Sequence, residues 1–254
     1  MELRSKQNTA FLPTADLHIH LLCGVDDGAR DEETMRAMVD AAYDDGTRVI
    51  CATPHYHPGF FGENHEKSRR SFQLLRAYVK QRYPDLHLYL GNELRYGPSA
   101  PDWLERKVCN TMNRTRYVLV DFTEHESADT IVQANLQLLN AGYLPILAHA
   151  ERYENLHRDF REILRLQGLG VTIQIDADSL FGAWSRNAKK RSRALLEQGI
   201  AQLAASDAHN LTSRPPQLAK YRAFVSKEYG ESYARRLFWD TPLAILRDQE
   251  IELP

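Results

Sequence analysis

Two histidines separated by a single residue, His18 and His20, lie in the stretch 16–20 near the start of the chain. Alternate residues of a β-strand point to the same face, so both imidazoles would project to one side while the intervening apolar residues project to the other. This spacing indicates a pair of metal ligands. A pair of core histidines with satisfied hydrogen bonds is the alternative, and the stretch alone does not decide between them.

Residue types that bind metals also follow the later predicted strands and occupy the first loop. With the first pair they make nine nitrogen and oxygen candidates: His18, His20, Asp27, His55, Glu93, Asp121, His149, Asp207 and His209. Imidazole and carboxylate groups bind divalent cations without sulfur, and burying so many of them without cations carries a large desolvation cost. A four-ligand zinc site would use fewer than half of the set, so the pattern favours a centre with two or three ions.

Two arginines extend the pattern toward phosphate chemistry. Arg152 lies three residues after His149, and Arg214 lies five residues after His209. Guanidinium groups match phosphate oxygens, and multinuclear centres acidify water and stabilise charge on phosphoryl oxygens. These residues together predict hydrolysis of a phosphate ester, whereas a salt bridge at the rim is the alternative for either arginine.

The elements that must position these residues alternate between apolar strands and helical patterns. Strands are predicted at 16–20, 48–53, 86–90, 117–120, 144–148, 171–175 and 200–205, and helices at 32–44, 65–81, 101–108, 127–140, 158–167 and 187–198. Repeated βα units indicate a parallel sheet, and no linker rich in Pro, Gly or Ser divides the chain, so residues 1–254 are predicted to form one domain. A closed barrel would place all strand ends around one opening, whereas an open doubly wound sheet is the alternative.

Composition excludes several function classes. The chain has 254 residues, of which 43% are hydrophobic and 26% charged, and its formal net charge is −2. We therefore expect no nucleic-acid partner and no attraction to an anionic membrane surface. The sequence lacks an apolar run long enough to span a bilayer and a secretory signal, so a cytoplasmic protein without membrane insertion is expected. Three cysteines with no C-x-x-C pair predict reduced thiols.

Seven motifs carry a resemblance to a known family. They are D-L-H-I-H (16–20), D-D-G (26–28), A-T-P-H (52–55), G-N-E (91–93), A-H-A-E-R-Y (148–153), A-S-D-A-H-N (205–210) and R-P-P (214–216). In this order they resemble the PHP (polymerase and histidinol phosphatase) superfamily. More closely, they resemble its bacterial capsule and exopolysaccharide branch, the manganese-dependent protein-tyrosine phosphatases of the CpsB/YwqE type. The resemblance covers the chain from about residue 16 to 251, leaving residues 1–15 as an N-terminal extension.

The resemblance implies a distorted seven-stranded (βα)7 TIM-like barrel with three divalent metal ions, Mn²⁺ being favoured and Fe or Zn the alternatives. By matching motif, His18, His20, Glu93 and Asp207 would hold the first ion, Glu93, Asp121 and His149 the second, and Asp27, His55 and His209 the third. Arg152 and Arg214 would bind the phosphate while a metal-bridging hydroxide attacks phosphorus. The resemblance also implies a catalytic role for His209. Asp121 stands where the family usually has Glu, which puts this one ligand in doubt.

The expected activity is hydrolysis of phosphotyrosine, with a bacterial tyrosine kinase that controls polysaccharide assembly as the implied substrate and a homo-oligomer as a possible state. Two alternatives remain open: a PHP phosphatase of a small phosphomonoester such as histidinol phosphate, and a catalytically silent scaffold that binds a kinase. A cysteine-type phosphatase would need C-x5-R, and Cys23 followed by Arg30 misses that spacing by one residue.

Overall fold

The computed structural model describes residues 12–251 as an α/β fold whose strand pairs are all parallel within that range. Its strands are β1 (Thr14–Asp16), β2 (Thr47–Ala52), β3 (His55–Tyr56), β4 (His87–Leu90), β5 (Glu93–Arg95), β6 (Tyr117–Asp121), β7 (Leu144–Leu147), β8 (Thr172–Asp176) and β9 (Leu203–Ala205). β1 begins inside the segment 1–15 that the sequence assigned to an extension, and residues 1–11 of that extension lie outside the described residues.

The helices follow the strands in alternation, as the sequence predicted. They are α1 (Glu32–Asp44), α2 (Pro58–Phe61), α3 (His65–Arg82), α4 (Ala100–Glu105), α5 (Ala128–Asn140), α6 (Arg161–Gly168), α7 (Arg186–Glu197), α8 (Ala219–Tyr229), α9 (Glu231–Arg235) and α10 (Thr241–Leu246). A π-helical turn, Arg236–Asp240, joins the last two. None of the helices in the part of the chain described here is long and apolar enough to cross a membrane.

The strands form two sheets. The first has the order β1-β2-β4, and the second has the order β3-β5-β6-β7-β8-β9. β3 follows β2 after two residues, and β5 follows β4 after two residues, so the second and third predicted strands each continue as a short segment in the other sheet. Gly91 lies at one of these breaks, where a Cβ atom would come within 2.8 Å of the Met112 sulfur. The breaks place His55 and Glu93 at the start of β3 and β5.

The predicted opening strand at 16–20 is wrong in its bounds, because β1 ends at Asp16. The Asp16 carboxylate accepts hydrogen bonds from the amides of His18 (3.3 Å) and Ser206 (3.1 Å), which replaces ladder pairing at this point. Beyond it only Ile19 forms a β-bridge, to Ala208. The backbone still joins the last strand, since the Asp207 amide donates to the His18 carbonyl at 2.8 Å.

Helix α1 shows why the helices form where the sequence predicted them. Asp31 caps its N-terminus by accepting a hydrogen bond from the Thr34 amide at 2.8 Å. Met35, Met38 and Val39 recur at helical spacing and are completely buried. Each such side chain contributes about 1.5–3 kcal/mol of burial free energy, so this face fixes the helix against the three-stranded sheet.

Candidate metal centre

Four side chains from distant parts of the chain meet in one buried cluster, which we call the His18 side of the centre. The Nε2 atoms of His18 and His20 each lie 3.3 Å from Glu93 Oε2 and 3.3 Å from Asp207 Oδ1. All four side chains are at most 4% exposed. The backbone positions them by bringing the segment after β1 against the start of β5 and the end of β9.

The atoms at the middle of this cluster lack hydrogen bonds. His18 Nε2, His20 Nε2 and Glu93 Oε2 are buried and form no hydrogen bond of acceptable geometry within the described residues, although His55 Nδ1 lies 2.8 Å from Glu93 Oε2. Ligands that surround a single ion at about 2.1 Å lie about 3.0–3.4 Å from one another, which matches the separations here. Buried polar atoms without partners are costly, so this donor set fits a divalent cation.

The second nitrogen of each histidine is held by a residue outside the ligand set. His18 Nδ1 lies 3.2 Å from Gln174 Oε1, and His20 Nδ1 lies 2.7 Å from Asp26 Oδ2. An ionised carboxylate only accepts hydrogen bonds, so His20 donates from Nδ1 to Asp26 and directs Nε2 into the cluster. Burial alone would lower the pKa of His20, but the adjacent Asp26 raises it well above its usual value.

Asp121 and His149 form a second group, which we call the Tyr153 side. His149 Nε2 lies 3.0 Å from Glu93 Oε1 and 3.5 Å from Asp121 Oδ1. Unlike the first cluster, this group has protein partners: Tyr153 donates to Asp121 Oδ1 at 3.1 Å, and Arg95 lies 2.6 Å from Asp121 Oδ2. The Tyr153 hydroxyl also lies 3.2 Å from His149 Nδ1.

The Tyr153 side differs in its protonation as well. Burial, together with the Glu93 charge, raises the pKa of Asp121 to about 7. Burial, together with the Arg152 charge, lowers the pKa of His149 to about 3, so its imidazole is neutral at pH 7. Burial alone would raise the pKa of Glu93, but His55 and His18 hold it well below its usual value. Glu93 is therefore the ionised carboxylate that both sides share.

The third predicted set lies at the mouth of the centre. The Nε2 atoms of His55 and His209 each lie 3.5 Å from Asp27 Oδ1, and the Asp27 side chain is 56% exposed. His55 Nδ1 faces Glu93 Oε2 at 2.8 Å, which connects this set to the His18 side. Burial opposes ionisation of Asp27, but His209 and His55 hold its pKa below the usual value. His20 also lies close enough to join this group.

Both predicted arginines meet at one carboxylate oxygen. Arg152 Nη2 lies 2.6 Å from Asp207 Oδ2, and Arg214 Nη2 contacts the same oxygen. Arg152 also contacts Asp176, and the Trp184 ring covers its guanidinium at 3.9 Å. Asp207 therefore faces the two imidazoles with one oxygen and the two guanidinium groups with the other, which places an anion-binding pair beside the ligand cluster.

Two candidate ligands have unusual backbone conformations. His149 (φ +32°) and Asp207 (φ +50°) adopt left-handed conformations that residues other than glycine rarely show. Such strain concentrates at functional sites, where the surrounding structure maintains it. Here it turns the chain sharply at the ends of β7 and β9 and directs both side chains into the centre.

The structure brings all nine predicted ligands and both arginines together and adds residues that the sequence reasoning missed. Arg95 follows Glu93 by two residues in β5 and so lies on the same face of the strand. This spacing in the sequence could have identified Arg95 as a neighbour of the ligands. Asp26 lies in the D-D-G motif, directly before Asp27, and Tyr153 lies in the A-H-A-E-R-Y motif, four residues after His149. Gln174 lies in the buried strand β8, on the same face as Thr172 and Asp176.

The cysteines lie apart from this chemistry. Cys23 contacts the Ser71 hydroxyl at 3.3 Å, beside the core under α1, while Cys51 and Cys109 are buried. Burial raises the pKa of the last two thiols. All three are free thiols, as the sequence predicted.

Comparison with known proteins gives consistent matches over almost the whole chain. The family model for capsular polysaccharide synthesis, CpsB/CapC, matches residues 14–247. The tyrosine-protein phosphatase CpsB of Streptococcus pneumoniae is 34% identical over 241 residues, which cover 93% of this chain and 99% of the relative. The tyrosine-protein phosphatase YwqE of Bacillus subtilis is 32% identical over 238 residues, covering 93% and 92% respectively.

Solved structures show the same relation. A structure from a study of YwqE from Bacillus subtilis and CpsB from Streptococcus pneumoniae, described as unique metal-dependent tyrosine phosphatases, matches with a TM-score of 0.86 and 28% identity. The match covers 94% of this chain and 97% of that one. A D-hydantoinase matches with a TM-score of 0.52 at 13% identity over 92% of this chain and 70% of the hydantoinase, which shows a shared fold alone.

Proposed function

The chain belongs to the CpsB/CapC family of capsular polysaccharide synthesis, and from that premise we propose how its centre acts as a protein-tyrosine phosphatase. The enzyme is a metal-dependent tyrosine phosphatase, hence a phosphoric monoester hydrolase, like the relatives named above. The observation that carries this function is the His18 side, whose unpartnered buried atoms fit a cation, next to the two arginines on Asp207.

The nine ligands divide among three ions in our proposal. His18, His20, Glu93 and Asp207 would hold the first, Glu93, Asp121 and His149 the second, and Asp27, His55 and His209 the third, with Mn²⁺ favoured over Fe or Zn. Bound divalent cations acidify water and neutralise charge on phosphoryl oxygens. The short Asp121 carboxylate is supported by Arg95 and Tyr153, which hold it in place beside His149.

The chain's own residues would bind and orient the substrate. Arg152 and Arg214 hold the phosphate, since both guanidinium groups converge beside the ligand cluster. His209 faces the Asp207 carbonyl with Nδ1 at 2.9 Å and directs Nε2 toward Asp27, so we assign it a ligand role. The phenol of tyrosine has a pKa of about 10, so the leaving group needs less acid assistance than an alkyl alcohol does.

We also propose closure of the fold into a distorted seven-stranded (βα)7 barrel. Counting β2 with β3 and β4 with β5 gives seven strand positions among residues 12–251. Support for closure comes from the first and last positions, where the His20 amide donates to the Ala208 carbonyl at 2.9 Å. On the other side of this segment, the Thr53 amide donates to the Ile19 carbonyl at 3.0 Å.

The protein substrate that we propose is a tyrosine-phosphorylated bacterial kinase that regulates capsular or exopolysaccharide assembly, in the cytoplasm. The test uses protein that is stripped with a chelator, reloaded with Mn²⁺ and given a phosphotyrosine peptide, histidinol phosphate and single-stranded DNA in turn. We expect metal-dependent turnover of the peptide. No turnover of any substrate would favour the silent scaffold, and a strong preference for histidinol phosphate would overturn the link to a kinase.

A further inference from the structure

A large cavity lies apart from the metal ligands. It has a volume of about 960 Å³, is open to solvent and is lined by α3, β4 and the loop 107–115, and we call it the α3–β4 cavity. β4 is an edge strand of the three-stranded sheet, so the cavity lies where the two sheets separate. None of the nine candidate metal ligands lines it.

The α3–β4 cavity is strongly cationic. Arg69, Arg76, Lys107 and Arg114 line it, and no aspartate or glutamate does. Of these four cations, only Arg69 has an ion-pair partner within residues 12–251, the exposed Glu66 at 3.4 Å. The whole chain carries a net charge of −2, so this excess of positive charge is local. Such a cluster raises the local concentration of anions and can bind phosphate through its guanidinium groups.

The rest of the lining is apolar and aromatic. Phe72, Leu88 and Leu104 contribute hydrocarbon surface, and Tyr89 and Tyr143 contribute rings. Ligand pockets are typically about 300–1,000 Å³ in volume and combine such walls with a few polar groups. Inorganic phosphate would leave most of this volume unfilled. The lining therefore matches a ligand with an anionic group attached to an apolar or aromatic body.

The loop that closes the cavity is conformationally fixed. Lys107 (φ +57°), Asn113 (φ +51°) and Arg114 (φ +65°) all adopt left-handed backbone conformations. Side-chain hydrogen bonds secure the same loop, since Asn113 Nδ2 donates to the Leu246 carbonyl at 3.0 Å. Two of the cationic side chains are thus presented from strained positions that the surrounding structure must maintain.

We propose that the α3–β4 cavity binds an organic phosphate with an apolar or aromatic body, at a site distinct from the metal centre. A hydrogen-bonded connection joins the two sites: Asn110 donates twice to Asn92 Oδ1, at 2.7 and 2.8 Å, and Asn92 Nδ2 donates to the Pro54 carbonyl at 2.8 Å. Asn92 and Pro54 directly precede Glu93 and His55. The proposal does not depend on which phosphomonoester the centre hydrolyses.

Calorimetric titration of the Mn²⁺-loaded protein with the α,β-methylene analogue of ADP, which resists hydrolysis between its phosphates, tests the proposal. We expect a dissociation constant of about 1 mM or tighter. Adenosine and pyrophosphate, which each supply one half of the probe, should bind at least tenfold more weakly. The double variant Arg76→Ala/Arg114→Ala should weaken binding of the analogue at least tenfold and leave phosphotyrosine hydrolysis unchanged.

Arg70→Ala is the matched control, because Arg70 is an exposed arginine of the same helix that does not line the cavity. This variant should bind the analogue as the unaltered protein does. Absence of binding would overturn the proposal, as would binding that survives in the double variant but is lost in Arg152→Ala, which would place the analogue in the metal centre. Pyrophosphate that binds as tightly as the analogue would overturn the role of the apolar walls.

Discussion

The two sides of the metal centre differ in how their buried charges are compensated. On the His18 side, three ligand atoms have no hydrogen-bond partner in the described part of the chain. On the Tyr153 side, both oxygens of Asp121 already contact protein donors, Tyr153 and Arg95. Both sides are equally buried, so burial alone does not show which groups need a cation. This difference indicates that the His18 side depends more strongly on a bound cation than the Tyr153 side, where Tyr153 and Arg95 already contact Asp121.

Metal removal should have the largest effect, because it leaves the unpartnered atoms of the His18 side without compensation. We expect the rate of phosphotyrosine hydrolysis to fall at least about 1,000-fold. We also expect Tm to fall by about 5–10 °C, which is the stabilisation lost when a ligand present at roughly a hundred times its Kd is removed. Differential scanning calorimetry and activity before and after chelation, with Mn²⁺ added back as the control, measure both. An unchanged Tm would remove the distinction between the two sides.

His18→Ala should come next, since it deletes one ligand from the side that depends on metal. Loss of an outer-shell partner costs about 10–100-fold in metal affinity or activity, so loss of the ligand itself should cost at least about 100-fold in kcat/KM. Bound Mn²⁺ after desalting should fall with it, while circular dichroism stays unchanged. His87→Ala, an exposed histidine on β4, is the control. Full metal content in His18→Ala would refute the ligand assignment.

Asp121→Asn tests the Tyr153 side and should lower kcat/KM only about tenfold. The reason is that Tyr153 keeps an oxygen partner and that His149 and Glu93 remain in place. The exposed Asp129→Asn on α5 controls for the charge change. A loss as large as that in His18→Ala would show that the Tyr153 side depends on its cation as strongly as the His18 side does.

Trp184→Ala should have a smaller effect, about 2–5-fold, because a partly exposed cation–π contact contributes about 0.5–1 kcal/mol. The Trp184 ring lies 3.9 Å above the guanidinium of Arg152, the group that we propose binds the phosphate. Steady-state kinetics should place the loss in KM, and Trp184→Phe should restore most of it. No change in either variant would show that Asp207 and Asp176 alone position Arg152.

Cys23→Ser should have the smallest effect, within twofold of the unaltered kcat/KM. Within residues 12–251, the hydrogen-bond contact of Cys23 is with the Ser71 hydroxyl, and no element of the proposed chemistry uses this thiol. Abolished turnover with intact metal content would replace the metal-centred interpretation with cysteine catalysis.

The fold could be predicted well where periodicity is simple and less well where the chain is interrupted. Helix α1 lies at the predicted 32–44, because its apolar spacing and Asp31 cap are local signals. The opening strand was wrong because the Asp16 carboxylate takes the amide of Ser206, a contact with a residue 190 positions away that no local pattern reveals. The short strands β3 and β5 were also missed, because Pro54 and Gly91 interrupt the apolar runs that lead into them.

Six of the candidate ligands could be predicted because they follow apolar runs, where parallel strands place their ends together; they are His55, Glu93, Asp121, His149, Asp207 and His209. Their division into two unlike sides could not be predicted. Tyr153 and Arg95 act through side-chain direction and distance, and the sequence reports only that they lie near His149 and Glu93. The shared oxygen of Asp207 likewise depends on the way β9 ends, in a strained turn.

The contact between the first and last segments of the centre also determines when, during synthesis, the centre can assemble. Because Ser206 and Asp207 come about 190 positions after Asp16 and His18, these ligands cannot meet until residue 207 has left the ribosome. During synthesis the early histidines remain without their late partner, so a nascent chain lacks the complete site. A chain that stops before residue 207 therefore lacks the carboxylate that faces both His18 and His20 and should be inactive.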